Sequence, residues 1–125
     1  KPGDDLALFL ATDTSKDPDV HSNQVSLLQN SPCFINSKAM DCMTCHDPHS
    51  NEKNKTLQFN TSCIQCHASP KHTSFSSVDT EDCISCHMPL RASKLMKIQI
   101  NQDSISPVWV RTHRIGIYNK EGLVE

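Results

Sequence analysis

Apolar residues along this chain of 125 residues stand in short groups separated by polar segments. The longest apolar stretch covers residues 6–11 and is far too short to cross a membrane. Val25 and Leu28 follow His21 at helical spacing, which favours a short helix there. Residues 108–117 have the character of an extended segment. The pattern thus predicts a short helix near the start of the chain, an extended segment near its end and no membrane span.

The composition leaves little material for a hydrophobic core. Only 36% of the residues are hydrophobic and 5% are aromatic, and small chains of this kind usually need disulfides, metals or bound cofactors for stability. The chain has seven cysteines and seven histidines. The odd number of cysteines argues against a framework made only of disulfides. A formal charge of −2, without any run of lysines or arginines, gives no indication of nucleic-acid binding.

One five-residue pattern, C-x-x-C-H, occurs three times. It is the attachment signature of haem c, in which two thiols bond the porphyrin and the adjacent histidine holds the iron. The histidines recur after 21 and then 20 residues, so the pattern is a repeated unit. The motifs are Cys42, Cys45 and His46; Cys63, Cys66 and His67; and Cys83, Cys86 and His87. The sequence therefore predicts three covalently attached haems, with the three motif histidines as proximal ligands.

The flanks of the motifs predict a short helical turn at each of them. A residue that can cap a helix precedes every motif, and a proline follows each histidine within three residues. Cysteines three positions apart lie on one face of such a turn, where both thiols reach the two vinyl groups of one porphyrin edge. The capping residues are Asp41, Ser62 and Asp82, and the prolines are Pro48, Pro70 and Pro89.

Two other uses of C-x-x-C fit poorly. A zinc ribbon needs four thiolates per metal and no histidine directly after each second cysteine, and six motif cysteines do not divide into such sites. A thioredoxin-like redox motif needs a βαβ context, which the sequence lacks. Haem attachment therefore remains the interpretation of all three motifs.

Four histidines outside the motifs are candidate distal ligands: His21, His49, His72 and His113. Three irons need three of them, and imidazole suits iron. The tether from His46 to His49 is too short to wrap around a macrocycle, so His49 should serve another haem. Nearly the same limit applies to His72, which follows His67 closely, whereas His113 should lie across a distant haem. One histidine is surplus, and the sequence leaves open whether it is His21 or His72.

Several other side chains have two interpretations each. Four methionines are alternative axial ligands, although we expect them to pack because histidines are in surplus; they are Met40, Met43, Met88 and Met96. Cys33 is left over, and we expect a buried structural thiol, with an intermolecular disulfide or a reactive thiol as alternatives. Three arginines are candidate partners of haem propionates, or ordinary solvated charges: Arg91, Arg111 and Arg114.

These features resemble the bacterial multihaem cytochromes c of the cytochrome c554 and doubled C-x-x-C-H type, particularly those common in Bacteroidetes. The resemblance implies a compact chain with little regular structure, irons held by two histidines, and electron transfer beside or within a larger complex. Such proteins usually carry further haems upstream, whereas no motif precedes His21 here. The stretches that carry the resemblance are His21–Leu28, Ser31–Phe34, Cys42–His49, Cys83–Pro89 and Arg111–His113.

Together these observations predict a small multihaem cytochrome c, in which short helices and irregular loops pack around three haems with little or no β-sheet. Residues 1–125 should form one domain, with 1–20 as an N-terminal extension or linker and 21–117 as the haem-binding core. The chain begins at Lys1 and shows no signal peptide, so we interpret it as a mature chain or as a piece of a longer one.

Closely spaced, six-coordinate haems pass electrons and bind no substrate at iron. We therefore expect an electron carrier or electron-transfer subunit and no enzyme, located in the periplasm, at the cell surface or outside the cell. Redox proteins, other cytochromes among them, are the expected partners, with self-association or a larger complex as a further expectation. Two alternatives stay open. One is a polymerising cytochrome in which a histidine of one chain ligates a haem of the next, and the other is a haem-based oxidoreductase.

Overall fold

The computed structural model describes residues 3–5, 18–37, 39–52, 56–72 and 82–119. Short helices occupy the first part of the chain, and a β-hairpin follows them. In chain order the elements are α1 (Gln24–Gln29), α2 (Pro32–Asn36), a 3₁₀ turn (Cys42–Thr44), α3 (Thr56–Cys66), α4 (Cys83–His87), β1 (Leu90–Asn101) and β2 (Ser104–Arg111). Most of the predicted N-terminal extension, residues 6–17, lies outside the described residues.

The helix expected after His21 is confirmed as α1. Leu27 is fully buried, whereas Val25 is 63% exposed. A tight turn precedes the helix, with Ser22 in the left-handed region at a φ of 67°. α2 follows closely and carries Pro32 at its first position, where a backbone N–H has no helical partner in any case.

The expectation of little or no β-sheet is wrong. β1 and β2 pair as a two-stranded antiparallel sheet, from Leu90 opposite Arg111 to Asn101 opposite Ser104. β-branched residues, which favour an extended backbone, lie near the end of β1 at Ile98 and Ile100 and recur along β2. In the turn, the side chain of Asn101 accepts a hydrogen bond from the amide of Asp103 at 3.0 Å. The extended segment predicted from residue 108 onwards covers only the end of β2, and β1 was missed.

A buried carboxylate anchors the hairpin to the segment before α1. Asp19 is 7% exposed and meets β1 where the strand register is interrupted, between Ala92 and Lys97. Its oxygens accept hydrogen bonds from the Ser93 hydroxyl at 2.8 Å and from the Lys94 amide. Polar groups of this irregular stretch of β1 are thereby satisfied by Asp19.

The chain after β2 returns across the helices instead of continuing as a strand. The Gly116 amide donates to the carbonyl of His87 at 3.1 Å, which ties this segment to α4. The Ser31 hydroxyl accepts a hydrogen bond from the Ile115 amide at 2.8 Å, which ties it to the start of α2. Residues 112–117 therefore pass between the N-terminal helices and the third motif.

The apolar core of the described residues is small. Three apolar side chains are buried there, Val20, Leu27 and Ile84. Several large apolar side chains are mostly exposed, among them Ile100 at 66% and Trp109 at 60%. None of the described helices is long and apolar enough to span a membrane. The described part of the polypeptide thus leaves much apolar surface in contact with water.

Candidate functional site

The first motif begins with a capped 3₁₀ turn. The Thr44 amide donates to the Asp41 carboxylate and the Asp41 amide donates to the Thr44 hydroxyl, both at 3.0 Å. This reciprocal pair confirms the predicted cap. Next, the His46 amide donates to the Cys42 carbonyl at 2.9 Å. Cys42, Cys45 and His46 consequently lie on one bend of the backbone.

The third motif coincides with α4. The Asp82 carboxylate accepts a hydrogen bond from the Ser85 amide at 3.2 Å, which confirms the predicted cap. At the other end, the Arg111 guanidinium donates to the carbonyls of Ile84 at 3.0 Å and Met88 at 2.8 Å. The Met88 carbonyl lies at the C-cap of α4, where helical partners run out, whereas the Ile84 carbonyl also accepts the Met88 amide at 2.9 Å. The predicted contact between Arg111 and haem propionates therefore has to compete with these two bonds.

The second motif departs from the predicted turn. Cys63 and Cys66 lie in the last two turns of α3, which begins at Thr56. Ser62, the predicted cap, is therefore inside a helix, because no proline or glycine interrupts residues 56–66. The His67 amide donates to the Cys63 carbonyl at 2.8 Å, so the motif still makes a helical turn.

Thiols from all three motifs lie close together. Burial, and after it the neighbouring thiols of Cys83, Cys45 and Cys33, raises the pKa of Cys63 to about 11. Burial, followed by the thiol of Cys66, raises the pKa of Cys33. All seven cysteines are free thiols in this structure. The attachment points of the three motifs are therefore near neighbours.

Three histidine rings are each held through Nδ1 by a different kind of acceptor. A ring that donates from Nδ1 keeps Nε2 unprotonated, which is the form that ligates a metal. Burial, and then the neighbouring His46, lowers the pKa of His113, which also favours a neutral ring. The acceptors are the Glu52 carboxylate for His46 at 2.8 Å, the Gln24 amide oxygen for His113 at 2.7 Å and the Gly116 carbonyl for His87 at 2.8 Å.

In two pairs of histidines, the ring centroids within each pair are separated by nearly the same distance. The ring centroids of His46 and His113 are 6.0 Å apart, and those of His72 and His87 are 6.2 Å apart. Two imidazoles on opposite sides of one metal have centroids roughly 6 Å apart when each metal–nitrogen bond is about 2 Å. Each pair joins a motif histidine to a histidine from outside the motifs. The centroid separation of both pairs therefore matches that of two histidine ligands of one haem iron.

The remaining candidate ligands are not brought into such pairs. His21 lies in the tight turn before α1, where the Ser22 hydroxyl is 3.0 Å from its Nδ1. His49 and His67 are exposed, the former in the turn after the first motif and the latter at the end of α3. Within the described ranges, no ring contact joins any of these three histidines to another.

The methionines and the seventh cysteine are less buried than expected. Met43 is 60% exposed and Met96 is 38% exposed, so neither packs in the core of the polypeptide. Met40 and Met88 are half-buried. Cys33 is also half-buried, within α2, and so is not the fully buried thiol that we expected.

The sequence pattern carries no signal for two of the three residues that hold the rings. Gln24 is 89 positions from His113, and the Gly116 carbonyl belongs to a residue 29 positions from its histidine. Glu52 is different, because a carboxylate only six residues after a motif histidine is a local signal. Only the folded chain reveals the other two contacts.

Comparison with known proteins gives one match. A family model described as the doubled CXXCH motif matches residues 36–72, which contain the first two motifs. Neither a curated protein nor a solved structure matches the chain. The match is consistent with a multihaem cytochrome c, and it does not extend to the cytochrome c554 type or to a Bacteroidetes origin. Together with the paired thiols and adjacent histidine of each motif, it indicates that this chain carries covalently attached haem c.

Proposed function

We propose that this protein is an electron-transfer cytochrome c with three covalently bound haems, each held by two histidines. Haem, when bound, supplies the one-electron couple of its iron. The observation that carries the proposal is the separation of two histidine ring pairs by 6.0 and 6.2 Å. Histidines on both sides of an iron leave no open position for a substrate, and we therefore propose no enzymatic activity.

The ring pairs support a specific assignment of ligands. His113 is the proposed distal partner of His46, and His72 is the proposed distal partner of His87. Neither pair requires a short tether to wrap around a macrocycle, because the paired residues are 67 and 15 positions apart. His72 then ligates the iron of the third motif, so it is not the surplus histidine in this proposal.

The second motif takes its distal ligand from the two histidines that remain. The short tether excludes His49 only from the iron held by His46, so His49 is a candidate partner for His67. His21 is the other candidate, since its turn before α1 is held in place by the bond from its amide to the Asp19 carboxylate at 2.8 Å. One of these two histidines is surplus in this proposal.

The surroundings of the motifs suit electron transfer between the haems and between this protein and its redox partners. Thiols of all three motifs are near neighbours, which supports closely spaced haems. Each oxidised haem adds a charge of about −1 if both propionates are ionised, so the holoprotein is more acidic than the formal −2 of its sequence. A redox partner with a basic docking surface would complement it. We propose that it works in the periplasm or at the cell surface, as the resemblance to bacterial multihaem cytochromes implies, with other cytochromes among its partners.

Two measurements on the purified holoprotein test the number and ligation of the haems. The intact mass under denaturing conditions should include three haems, because thioether bonds survive unfolding. Electron paramagnetic resonance of the oxidised protein should show only low-spin iron. A mass equal to the bare polypeptide contradicts haem attachment. A high-spin signal that shifts with nitrite or cyanide supports a haem-based oxidoreductase instead.

The His113→Ala variant tests the ligand assignment. All three haems should stay attached, because the motif cysteines are untouched, while one of three becomes high-spin. His72→Ala should behave in the same way at a different haem. Met43→Ala is the matched control, because Met43 is an alternative ligand by type but is 60% exposed, and its spectrum should not change. An unchanged spectrum for His113→Ala rules out its pairing with His46.

A further inference from the structure

Glu52 makes an oriented contact with the ring of His46. Its Oε2 lies 2.8 Å from His46 Nδ1, and its Oε1 accepts a hydrogen bond from the Asp47 amide at 2.6 Å. The side chains of Glu52 and His46 are 22% and 44% exposed, so water screens the contact only in part. Two bonds to separate oxygens fix the carboxylate in its position against the ring.

The three ring acceptors differ in charge, and only Glu52 is an anion. The amide oxygen of Gln24 and the carbonyl of Gly116 are neutral acceptors. A hydrogen bond to a carboxylate is roughly twice as strong as one between neutral groups. It draws the Nδ1 proton away from the ring and makes Nε2 a more basic metal ligand. A more basic ligand, with a negative charge behind it, favours the more positively charged oxidation state of a metal.

We infer that Glu52 acts through His46 to make the iron of the first motif harder to reduce than the iron held by His72 and His87. This inference rests on the proposed function, because it takes His46 as an iron ligand. The haem of the first motif then has the lower reduction potential, so electrons flow from it towards the haem of the third motif. The first-motif turn, whose residues 41–44 are all exposed, is the end at which a donor protein delivers them.

A general effect of negative charge has to be separated from the contact itself. Asp47 lies on the same loop and is also acidic, but its carboxylate accepts a hydrogen bond from the His49 amide at 2.9 Å instead of from a ring. Asp47→Asn therefore removes the same charge from the same loop and leaves the bond between Glu52 and His46 in place. It is the matched control for Glu52→Gln.

The test is a spectroelectrochemical titration of the three holoproteins: wild type, Glu52→Gln and Asp47→Asn. Glutamine has one acceptor oxygen in place of the two that Glu52 uses. With that oxygen towards His46, the ring has the same kind of partner as the ring of His113, and the Asp47 amide loses its acceptor. We expect the equilibrium constant for reduction of one haem to rise about tenfold, which is 59 mV for one electron, while the other two stay unchanged. One low-spin paramagnetic resonance signal should change with it. Asp47→Asn should shift the same equilibrium by clearly less.

Several outcomes overturn the inference. They are no shift in Glu52→Gln, an equal shift in Asp47→Asn, and a shift spread evenly over all three haems. Glu52→Asp keeps the charge but withdraws it from the ring, so it should also make the same haem easier to reduce, and an unchanged equilibrium would contradict the inference. This second variant decides the matter if Glu52→Gln loses haem. The proposed function fails separately, when the wild type itself lacks three low-spin haems.

Discussion

Asp19 connects two parts of the chain that are 74 positions apart. Its buried carboxylate accepts hydrogen bonds from the amides of His21 and Lys94 and from the Ser93 hydroxyl. Burial alone would raise the pKa of Asp19, but these hydrogen bonds favour its charged form and hold the pKa below the usual 3.8. A carboxyl with a lowered pKa in the folded state adds stability above its unfolded pKa, and this stability disappears as the pH falls through the folded value.

Asp19→Asn should lower the free energy of unfolding at pH 7 by about 1–3 kcal/mol, because buried donors lose their charged acceptor. Urea denaturation measures the difference. The gap between wild type and variant should narrow as the pH falls below 3.8, where wild-type Asp19 becomes protonated as well. Asp103→Asn, in the exposed hairpin turn, is the control and should change stability by less than about 0.5 kcal/mol. A gap that is independent of pH would mean that the charge of Asp19 is not the cause.

At the scale of elements, one sequence signal has two structural outcomes. Asp82 caps α4 as predicted, whereas Ser62, in the corresponding place before the second motif, lies within α3. A capping residue starts a helix only where the chain before it is not already helical. Residues 56–61 contain no proline or glycine and continue into the motif as one helix.

Asp82→Ala should lower the free energy of unfolding by about 1 kcal/mol, because α4 loses its N-terminal acceptor. All haems should stay attached, since the cysteines are unchanged. Ser62→Ala is the matched control at the second motif and should have a smaller effect, because Ser62 is inside a helix. Denaturation followed by haem absorbance compares the two variants. An equal loss of stability in both would mean that Ser62 also acts as a cap.

The hairpin matters for the site because its base brings two histidines to the same end of the sheet. Leu90 pairs with Arg111 at the base, so His87 and His113, which lie three residues before and two residues after this pair, come to the same end of the sheet. Gln24 then accepts hydrogen bonds from both the backbone amide and the ring of His113, at 3.1 and 2.7 Å. Strand pairing thus places the ring that lies across from His46.

At the scale of the whole molecule, the part of the chain that the structure describes has a small apolar core. The described residues bury three apolar side chains and five polar or charged ones. Chains with so small a core depend on bound groups for their stability, and binding energy then becomes folding energy. Haem c, once attached, would add apolar surface to this small core.

Replacing all six motif cysteines with serine should leave a haem-free chain that is largely unfolded. Far-ultraviolet circular dichroism should lack the helical signal of the holoprotein, and urea should produce no cooperative transition. Cys33→Ser is the control, because Cys33 lies outside the motifs, and this variant should keep its haems and its cooperative unfolding. Cooperative unfolding of the haem-free chain would show that the polypeptide core suffices.

The sequence alone determined the attachment chemistry, because two thiols and a histidine within five residues share one turn whatever the rest of the chain does. The caps at Asp41 and Asp82 could be predicted for the same reason, since each carboxylate accepts a hydrogen bond from an amide only three residues further on. The end of β1 carries a strand signal that the sequence prediction overlooked, because residues 97–101 alternate polar and apolar side chains. The irregular register between Ala92 and Lys97 has no such signal. Which histidines lie across from His46 and His87 was decided only by the tertiary structure. His113 reaches His46 through the pairing of β1 with β2 and through Gln24, and contacts between such distant residues depend on how the whole chain packs.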